Sequence, residues 1–363
     1  MTVGRILFSE SSPNLGGQEL QLLQQMTVLK ARGVAVRLAC RRGSRIDEIA
    51  RERHLDTVAI PFRNSLDPRS IAALVRLLRA WRPDAIVSHS GHDANNCALA
   101  ARLVAARPRL IRMRTYQPGP AHAWTYNALA DLTLVPSAAL RNSLLAHPRI
   151  KPGRIRVLYP GIDLERIERE ARAALPEAIA LWLAQHPGPL LVQAAMLRAE
   201  KGQALMLSVM AQLVNSQPTL RYVIAGEGEL RATLSSRVRE LGLAEHVLIA
   251  GLVPQVAPLY RRADLVLMPS SYEPLGLSQS EALSLGVPVL ASRTGGIPET
   301  IEDQRTGLLV EPGNVSAWAL AISWALAHPA EMRRMAAAGR EFVKTRFSIA
   351  ANIDSLLAHL KQS

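Results

Sequence analysis

The sequence predicts an α/β protein made of two doubly wound, Rossmann-like domains facing a cleft. Three observations carry this. Short β-rich apolar runs alternate with amphipathic stretches along the chain. The alternation lapses near residues 160–170 and then restarts. The 363 residues, 48% of them apolar, exceed one ordinary core and suit two. Aromatic residues are only 4%, so Leu, Val, Ala and Ile must fill both cores.

In the first half, RILFSE reads as a strand. Residues 17–32 read as a helix with Leu20, Leu23, Met26, Val28 and Leu29 as its apolar stripe. VAVRLAC is a strand, SIAALVRLLRAWRP a helix ended by Pro83, DAIVSHS a strand and DANNCALAARLVAAR a helix. RLIRMRT, LTLVPS and IRVLYPGID follow as strands. Such β–α alternation implies a parallel sheet covered on both faces. The second half opens with a helical stretch over residues 164–185. It continues through LLVQAAM, a helix over about 202–215, RYVIAGEG, a helix to Leu241, HVLIAGLV, ADLVLMPS and VPVLAS. Helices over 315–328 and 330–360 finish it. The expected domains are 1–163 and 164–345, with 346–363 a C-terminal helix able to pack back on the first.

The net charge of +13 is unevenly placed. Residues 1–163 hold 24 Lys and Arg against 11 Asp and Glu, and the remainder holds 19 against 19. The first half therefore carries the whole excess, which suits an anionic partner. Only five of the 43 basic residues are Lys, so an Arg-rich habit of the chain is the plainer explanation. Cys40 and Cys97 lack metal-ligand spacing and read as small buried apolar residues. No apolar run approaches the roughly eighteen residues that span a bilayer. MTVGRILFSE lacks the apolar core of a secretory signal. These points favour a cytoplasmic protein.

The most informative stretch is SYEPLGLSQSEALSLGVPVLASRTGGIPETI, from Ser271 to Ile301. It sets Glu273 and Glu281 eight residues apart, then a strand and a Gly-Gly turn. Ser278 and Glu281 have the spacing of a capping box, which alone would account for Glu281. It accounts for neither Glu273 nor Gly276. A helix N-terminus also attracts anions, and glycine lets backbone approach a ligand. The N–H groups around Leu275, Gly276, Leu277 and Ser278 could then hold a phosphate, and the two glutamates could accept from sugar or ribose hydroxyls. In MLRAEKG, Arg198 and Lys201 sit at the C-terminal end of the first strand of the second half, where two cations can neutralise a diphosphate. A solvated basic loop is the alternative. In SPNLGGQEL, Gly16 and Gly17 open a helix, a suitable phosphate or sugar contact. No Gly-x-Gly-x-x-Gly fingerprint occurs, which disfavours a dehydrogenase. SHSGHDANN offers His89, His92 and Asp93, expected to be exposed at a loop tip, with Asp93 alternatively an N-cap.

The run E-P-L-G-L-x-x-x-E-A-L-x-L-G-x-P-V-L-A-S-x-x-G-G-I-P-E from Glu273 resembles the E-x7-E signature of retaining glycosyltransferases of the family 4 type, which have the GT-B fold. LRAEKG, VIAGEGELR, RADLVLMPS, TGLLVEPGN and GGQE extend the resemblance over nearly the whole chain. It implies a hexosyltransferase that takes a nucleotide-diphosphate sugar, with UDP favoured over GDP, and a glycan or glycolipid acceptor. Glu273 would contact the donor sugar. Arg198 and Lys201 would bind the diphosphate and stabilise the leaving group, with no metal and no cofactor expected. Glu281 would hold the ribose. Leu275, Gly276, Leu277 and Ser278 would cradle the sugar-phosphate. Gly16 and Gly17 would close over the donor, Glu227 would lie near the nucleotide and Val253 beside the base. The family often carries a histidine after the strand RLIRMRT. This chain has Thr115, Tyr116 and Gln117 there, so His89, His92 or His122 is left as a candidate.

The expected setting is cell-surface polysaccharide synthesis, such as lipopolysaccharide, with the basic first domain resting peripherally on an anionic inner leaflet. A small soluble acceptor is the other reading of the acceptor. A sugar-nucleotide epimerase of the same architecture is the rival enzyme. A glycosidase would not need the diphosphate cations. Nucleic acid is disfavoured as a partner, since basic residues are not interleaved with aromatics.

Overall fold

A computed structural model describes residues 3–115 and 122–361. The chain divides into two units, Met1–Gly161 with Ile349–Ser363, and Ile162–Ser348.

The first unit holds β1 (Arg5–Glu10), β2 (Ala35–Cys40), β3 (Thr57–Ala59), β4 (Ala85–Ser88), β5 (Arg109–Met113), β6 (Leu132–Val135) and β7 (Ile155–Val157). They form one parallel sheet in the order β3-β2-β1-β4-β5-β6-β7. Alternate side chains of β1 enter two cores. Ile6 and Phe8 pack with Leu22, Leu23, Met26 and Leu29, and Leu7 packs with Leu74, Leu78 and Ile86. That two-sided burial is why these strands read as continuous apolar runs. The C-terminal helix Ile349–Lys361 adds Ile353, Leu356 and Leu360 to the core of Ile6 and Phe8. The Gln25 amide donates to Asn352 Oδ1 at 2.9 Å in the same layer.

The second unit holds β8 (Leu190–Ala194), β9 (Arg221–Ala225), β10 (Val247–Gly251), β11 (Leu265–Met268), β12 (Val289–Ser292) and β13 (Leu308–Val310). This sheet is parallel too, in the order β10-β9-β8-β11-β12-β13. Both sheets therefore reverse direction of winding beside their first strand, between β1 and β4 and between β8 and β11.

Several expected elements differ in extent. The helix expected over 164–185 is two, Leu164–Glu170 and Glu177–Gln185, because Pro176 has no N–H to donate and disfavours helix in the residue before it. The helix expected over 330–360 is also two, Pro329–Arg346 and Ile349–Lys361. The Phe347 carbonyl accepts the Ile162 N–H at 2.7 Å, which ends the first helix where the chain leaves the second unit. In the helix Gly17–Ala31 the buried face is Leu22, Leu23, Met26 and Leu29, and Leu20 is 45% exposed. Cys40 and Cys97 are buried and free, as expected.

Glycines set the loops at the C-terminal edge of the second sheet. A Cβ on Gly202, after β8, would overlap the Pro269 carbonyl after β11. A Cβ on Gly295, after β12, would overlap the Glu273 carbonyl, and one on Gly296 the Pro274 carbonyl. The Gly296 N–H donates to that Glu273 carbonyl at 2.9 Å. Gly202 and Gly295 also have φ of +75° and +52°, a region where side chains are strained. The Gly-Gly turn is thus the backbone buttress of the Glu273 loop. We expect Gly295→Ala to destabilise the protein by roughly 2–4 kcal/mol, from clash plus strain. Gly313→Ala, with φ of +74° but open space around it, should cost only about 1 kcal/mol. Chemical denaturation of the two variants checks this, and equal losses would remove the buttress.

Candidate active site

In the second unit the loops after β8 and β11 diverge where the winding reverses, the usual place for a ligand in an open parallel sheet. The loop after β8 carries Arg198 and Lys201, and the loop after β11 carries Glu273 and Gly276. Lys201 Nζ donates to Glu273 Oε2, and the two side chains are only 15% and 10% exposed. Lys201 is fixed from below. Its carbonyl accepts from the Gln193 amide at 2.7 Å, and Gln193 Oε1 accepts from the Tyr222 hydroxyl, both residues being fully buried. The Arg198 side chain is exposed and makes no hydrogen bond or ion pair among the described residues. One loop therefore offers a cation already engaged by a carboxylate and a cation still unengaged.

Ser278 opens the helix Ser278–Ser284 at its first position, with Leu277 in the capping position. The Ser278 hydroxyl donates to the Ala194 carbonyl at the end of β8, at 2.9 Å. Ser278 thus stands one position inside the cap and its hydroxyl accepts no helix N–H, so the capping box expected of Ser278 and Glu281 does not form. Burial pushes the Glu281 carboxyl up, Arg166 opposes that, and Glu170 adds to it. The Tyr260 hydroxyl is buried beside Ser278 and Glu281, and burial pushes it up as well. The backbone N–H groups of Gly276, Leu277 and Ser278 donate to nothing among the described residues. Glu227 pairs with Arg231 after β9, its carboxylate lying over Gly251 at the end of β10. Val253 is buried just beyond. Glu227 and Val253 share the sheet edge with Lys201 and Glu273 but make no hydrogen bond or ion pair to them.

The first unit places a different cluster between β1 and β4. Glu10, fully buried at the end of β1, accepts from the Ser12 N–H at 2.7 Å, the Gln18 amide at 2.9 Å and the Ser90 hydroxyl. Gln18 Oε1 accepts from the Thr115 hydroxyl at 2.8 Å. Asp93, also fully buried, accepts from the Ser9 hydroxyl at 2.7 Å, the Ser11 hydroxyl at 3.2 Å, and the His89 and Ser90 N–H groups at 3.1 and 3.0 Å. Gly16 donates its N–H to Glu19 Oε2 at 2.7 Å, and the space around Gly17 is open. His89 and Asp93 are thus not exposed at a loop tip: these donors draw the loop inward. Ser90 is the N-cap of the helix Gly91–Arg102, and Asp93 closes the box from the third position. The His89 ring is buried against Phe8, and its Nδ1 lies 3.2 Å from the Ser9 carbonyl, which assigns the proton to Nδ1. Burial holds His89 below its usual range. His92 is exposed and bonded to Ser65 at 2.8 Å, and His122 is exposed at the start of the helix Ala123–Asn127. Tyr116 and Gln117, at the place of the histidine that the resemblance implies, lie outside the described residues. Sequence reasoning missed Glu10, Gln18 and Gln193. An acid ending the apolar run RILFSE was a signal for the first.

Burial and the nearby Glu10 carboxyl push Asp93 up to about 8 against its donors. An acid raised in the folded state stabilises fully below its ordinary value, 3.8, and loses that contribution as pH rises towards about 8. The wild type should therefore lose stability between about pH 5 and pH 8, and Asp93→Asn should flatten that fall. Urea denaturation at the two values tests it, and parallel slopes would contradict it.

Set beside known proteins, residues 178–342 match the family described as glycosyl transferases group 1, and residues 15–166 match glycosyltransferase family 4. The D-inositol 3-phosphate glycosyltransferase of Segniliparus rotundus is 29% identical, over 94% of this chain and 84% of its own. A glycosyltransferase from Rickettsia africae superposes with a TM-score of 0.86 at 18% identity, covering 99% of this chain and 98% of that one. The Anabaena protein HepE, solved with UDP and glucose, superposes at 0.82 and 20% identity over 99% of each chain. Two doubly wound parallel units fit the GT-B fold, and the family matches put the chain in the transferase class. The chain belongs to the group 1 glycosyltransferases of the family 4 type.

Proposed function

We propose that this glycosyltransferase moves a hexose-type sugar, with retention, from a nucleotide-diphosphate sugar to a hydroxyl of a glycan or glycolipid acceptor. The observation that carries the reading is the Lys201–Glu273 pair with unengaged Arg198 on the same loop. A diphosphate entering there meets two cations, and Lys201 exchanges its carboxylate for a phosphate oxygen. Glu273, released, accepts from sugar hydroxyls. The unused N–H groups of Gly276, Leu277 and Ser278 suit the sugar-phosphate, and Glu281 suits the ribose diol. When the bond from the sugar to phosphate breaks, both electrons stay with the diphosphate, and Lys201 and Arg198 stabilise that charge. Burial of Glu281 makes its ionised form costly, so donating hydroxyls offset part of that cost. Glu227, Val253, Gly16 and Gly17 remain donor-side candidates, and His89, His92 and Asp93 acceptor-side candidates. Asp93 and His89 would act there by holding the loop, given their burial.

UDP is the favoured nucleotide of the donor, supported by the HepE complex with UDP and glucose. The basic first half supports an acceptor that carries phosphate. A glycolipid of cell-surface polysaccharide synthesis, such as a lipopolysaccharide precursor at the inner leaflet, meets that description. Peripheral contact through the basic first half is the mode proposed, and among the described residues no helix is long and apolar enough to cross a membrane. A small soluble acceptor is the second reading, favoured by a relative named for a phosphorylated inositol.

Thermal stabilisation by a panel of UDP- and GDP-sugars tests the donor site. One sugar nucleotide should raise the melting temperature of the wild type. Arg198→Ala and Lys201→Ala should each weaken its binding by roughly 10- to 100-fold, the loss of a charged hydrogen bond to phosphate. Stabilisation that is the same in wild type and both variants would place the donor elsewhere.

A further inference from the structure

The opposite edge of the first sheet carries a cavity of about 610 Å³. It lies at the N-terminal ends of β4, β5, β6 and β7, which are neighbours in the sheet. The strand ends bring five cations to it: Arg107 and Arg109 at β5, Arg154 and Arg156 at β7, and Lys361 at the end of the C-terminal helix. Two acids share the lining, Asp84 and Asp131. Both are already engaged. Asp84 accepts from the Gly4 and Arg5 N–H groups at 2.7 and 2.9 Å. Asp131 pairs with Arg107 at 2.8 Å and accepts from the Leu110 N–H at 2.8 Å.

Helix capping accounts for part of the cluster. Arg109 donates to the Leu360 carbonyl at 3.4 Å, as a cation near a helix C-terminus should. Arg154 donates to the Asp131 carbonyl at 3.0 Å. Each of these uses one of the five N–H donors of a guanidinium. Among the described residues of the lining, five cations stand against two carboxylates. Like charges gathered in a concave site repel, and burial together with Arg156 pushes the Arg109 guanidinium down from its usual range. The volume falls within the roughly 300–1,000 Å³ of small-molecule sites.

We propose that this cavity is a second anion site, distinct from the Arg198–Lys201 loop, that takes a phosphate or diphosphate group. Forked guanidinium donors match phosphate oxygens, and strand ends hold them in place. The ligand is either a soluble phosphate ester or the headgroup of an anionic lipid, since both present the same oxygens.

Titration calorimetry of inorganic pyrophosphate into the full chain tests it. Three proteins are compared: wild type, Arg154→Gln with Arg156→Gln, and Arg198→Ala with Lys201→Ala. The first double variant should raise the dissociation constant of one site roughly tenfold or more, and the second should leave that site intact. Arg156→Gln with Lys361→Gln, both exposed, repeats the test should Arg154 prove necessary for folding. Vesicles of phosphatidylcholine with and without phosphatidylglycerol separate the sources. Binding to the anionic vesicles that needs the same arginines and is displaced by pyrophosphate assigns a lipid headgroup. Pyrophosphate binding without vesicle binding assigns a soluble ester. Pyrophosphate isotherms unchanged by either cavity double variant would overturn the proposal.

Discussion

The ion pair between Lys201 and Glu273 joins loops whose residues stand 72 positions apart in the chain. Nothing local brings them together. Strand order does: β8 and β11 are neighbours in the sheet, and their outgoing chains turn to opposite faces. A charged pair this little exposed is costly to form and more costly to break by removing one partner. The glycine contacts are what hold it in place. Gly202 lets the Lys201 loop lie against Pro269, and Gly295 and Gly296 let the next loop lie against Glu273 and Pro274. The pair thus depends on backbone packing, and the proposed donor chemistry depends on the pair.

The two units use the same winding with different chemistry at the reversal. In the second, a cation meets a carboxylate, and a further cation is unengaged. In the first, two buried carboxylates, Glu10 and Asp93, gather hydroxyl and N–H donors from β1, from the helix Gly17–Ala31 and from the loops after β1 and β4. The first arrangement is spent internally, and its result is a fixed loop geometry. The second keeps binding capacity in reserve. This difference fits a second unit that handles the charged donor, as proposed, and a first unit whose reversal shapes a surface.

Much of this was legible before any coordinates. Strands buried on both faces read as apolar runs, and RILFSE, DAIVSHS and LLVQAAM became β1, β4 and β8. The three-residue strands Thr57–Ala59 and Leu308–Val310 are too short to show a period, and Ile155–Val157, equally short, was legible only within the longer run IRVLYPGID. The loop of Arg198 and Lys201 and the loop of Glu273 were found because charged residues at strand ends stand out against apolar runs. Non-local hydrogen bonds were not legible. Ser278 and Glu281 have the spacing of a capping box, but the Ser278 hydroxyl finds a carbonyl 84 positions away. Asp93 sits in a polar loop that reads as exposed, and partners on β1 bury it. Gln193 resembles any polar residue in a strand until its contact with Lys201 is seen.

The central claim is that a donor diphosphate displaces Glu273 from Lys201. Glu273→Gln tests it most directly, by calorimetry with UDP beside UDP-glucose and GDP beside GDP-mannose. If the claim holds, the variant binds the nucleoside diphosphate at least as tightly as wild type, because Lys201 is released from its carboxylate. It should also lose the wild type's preference for the sugar-bearing form. If the nucleoside diphosphate and its sugar weaken together, Glu273 serves only to hold its loop, and the exchange does not occur.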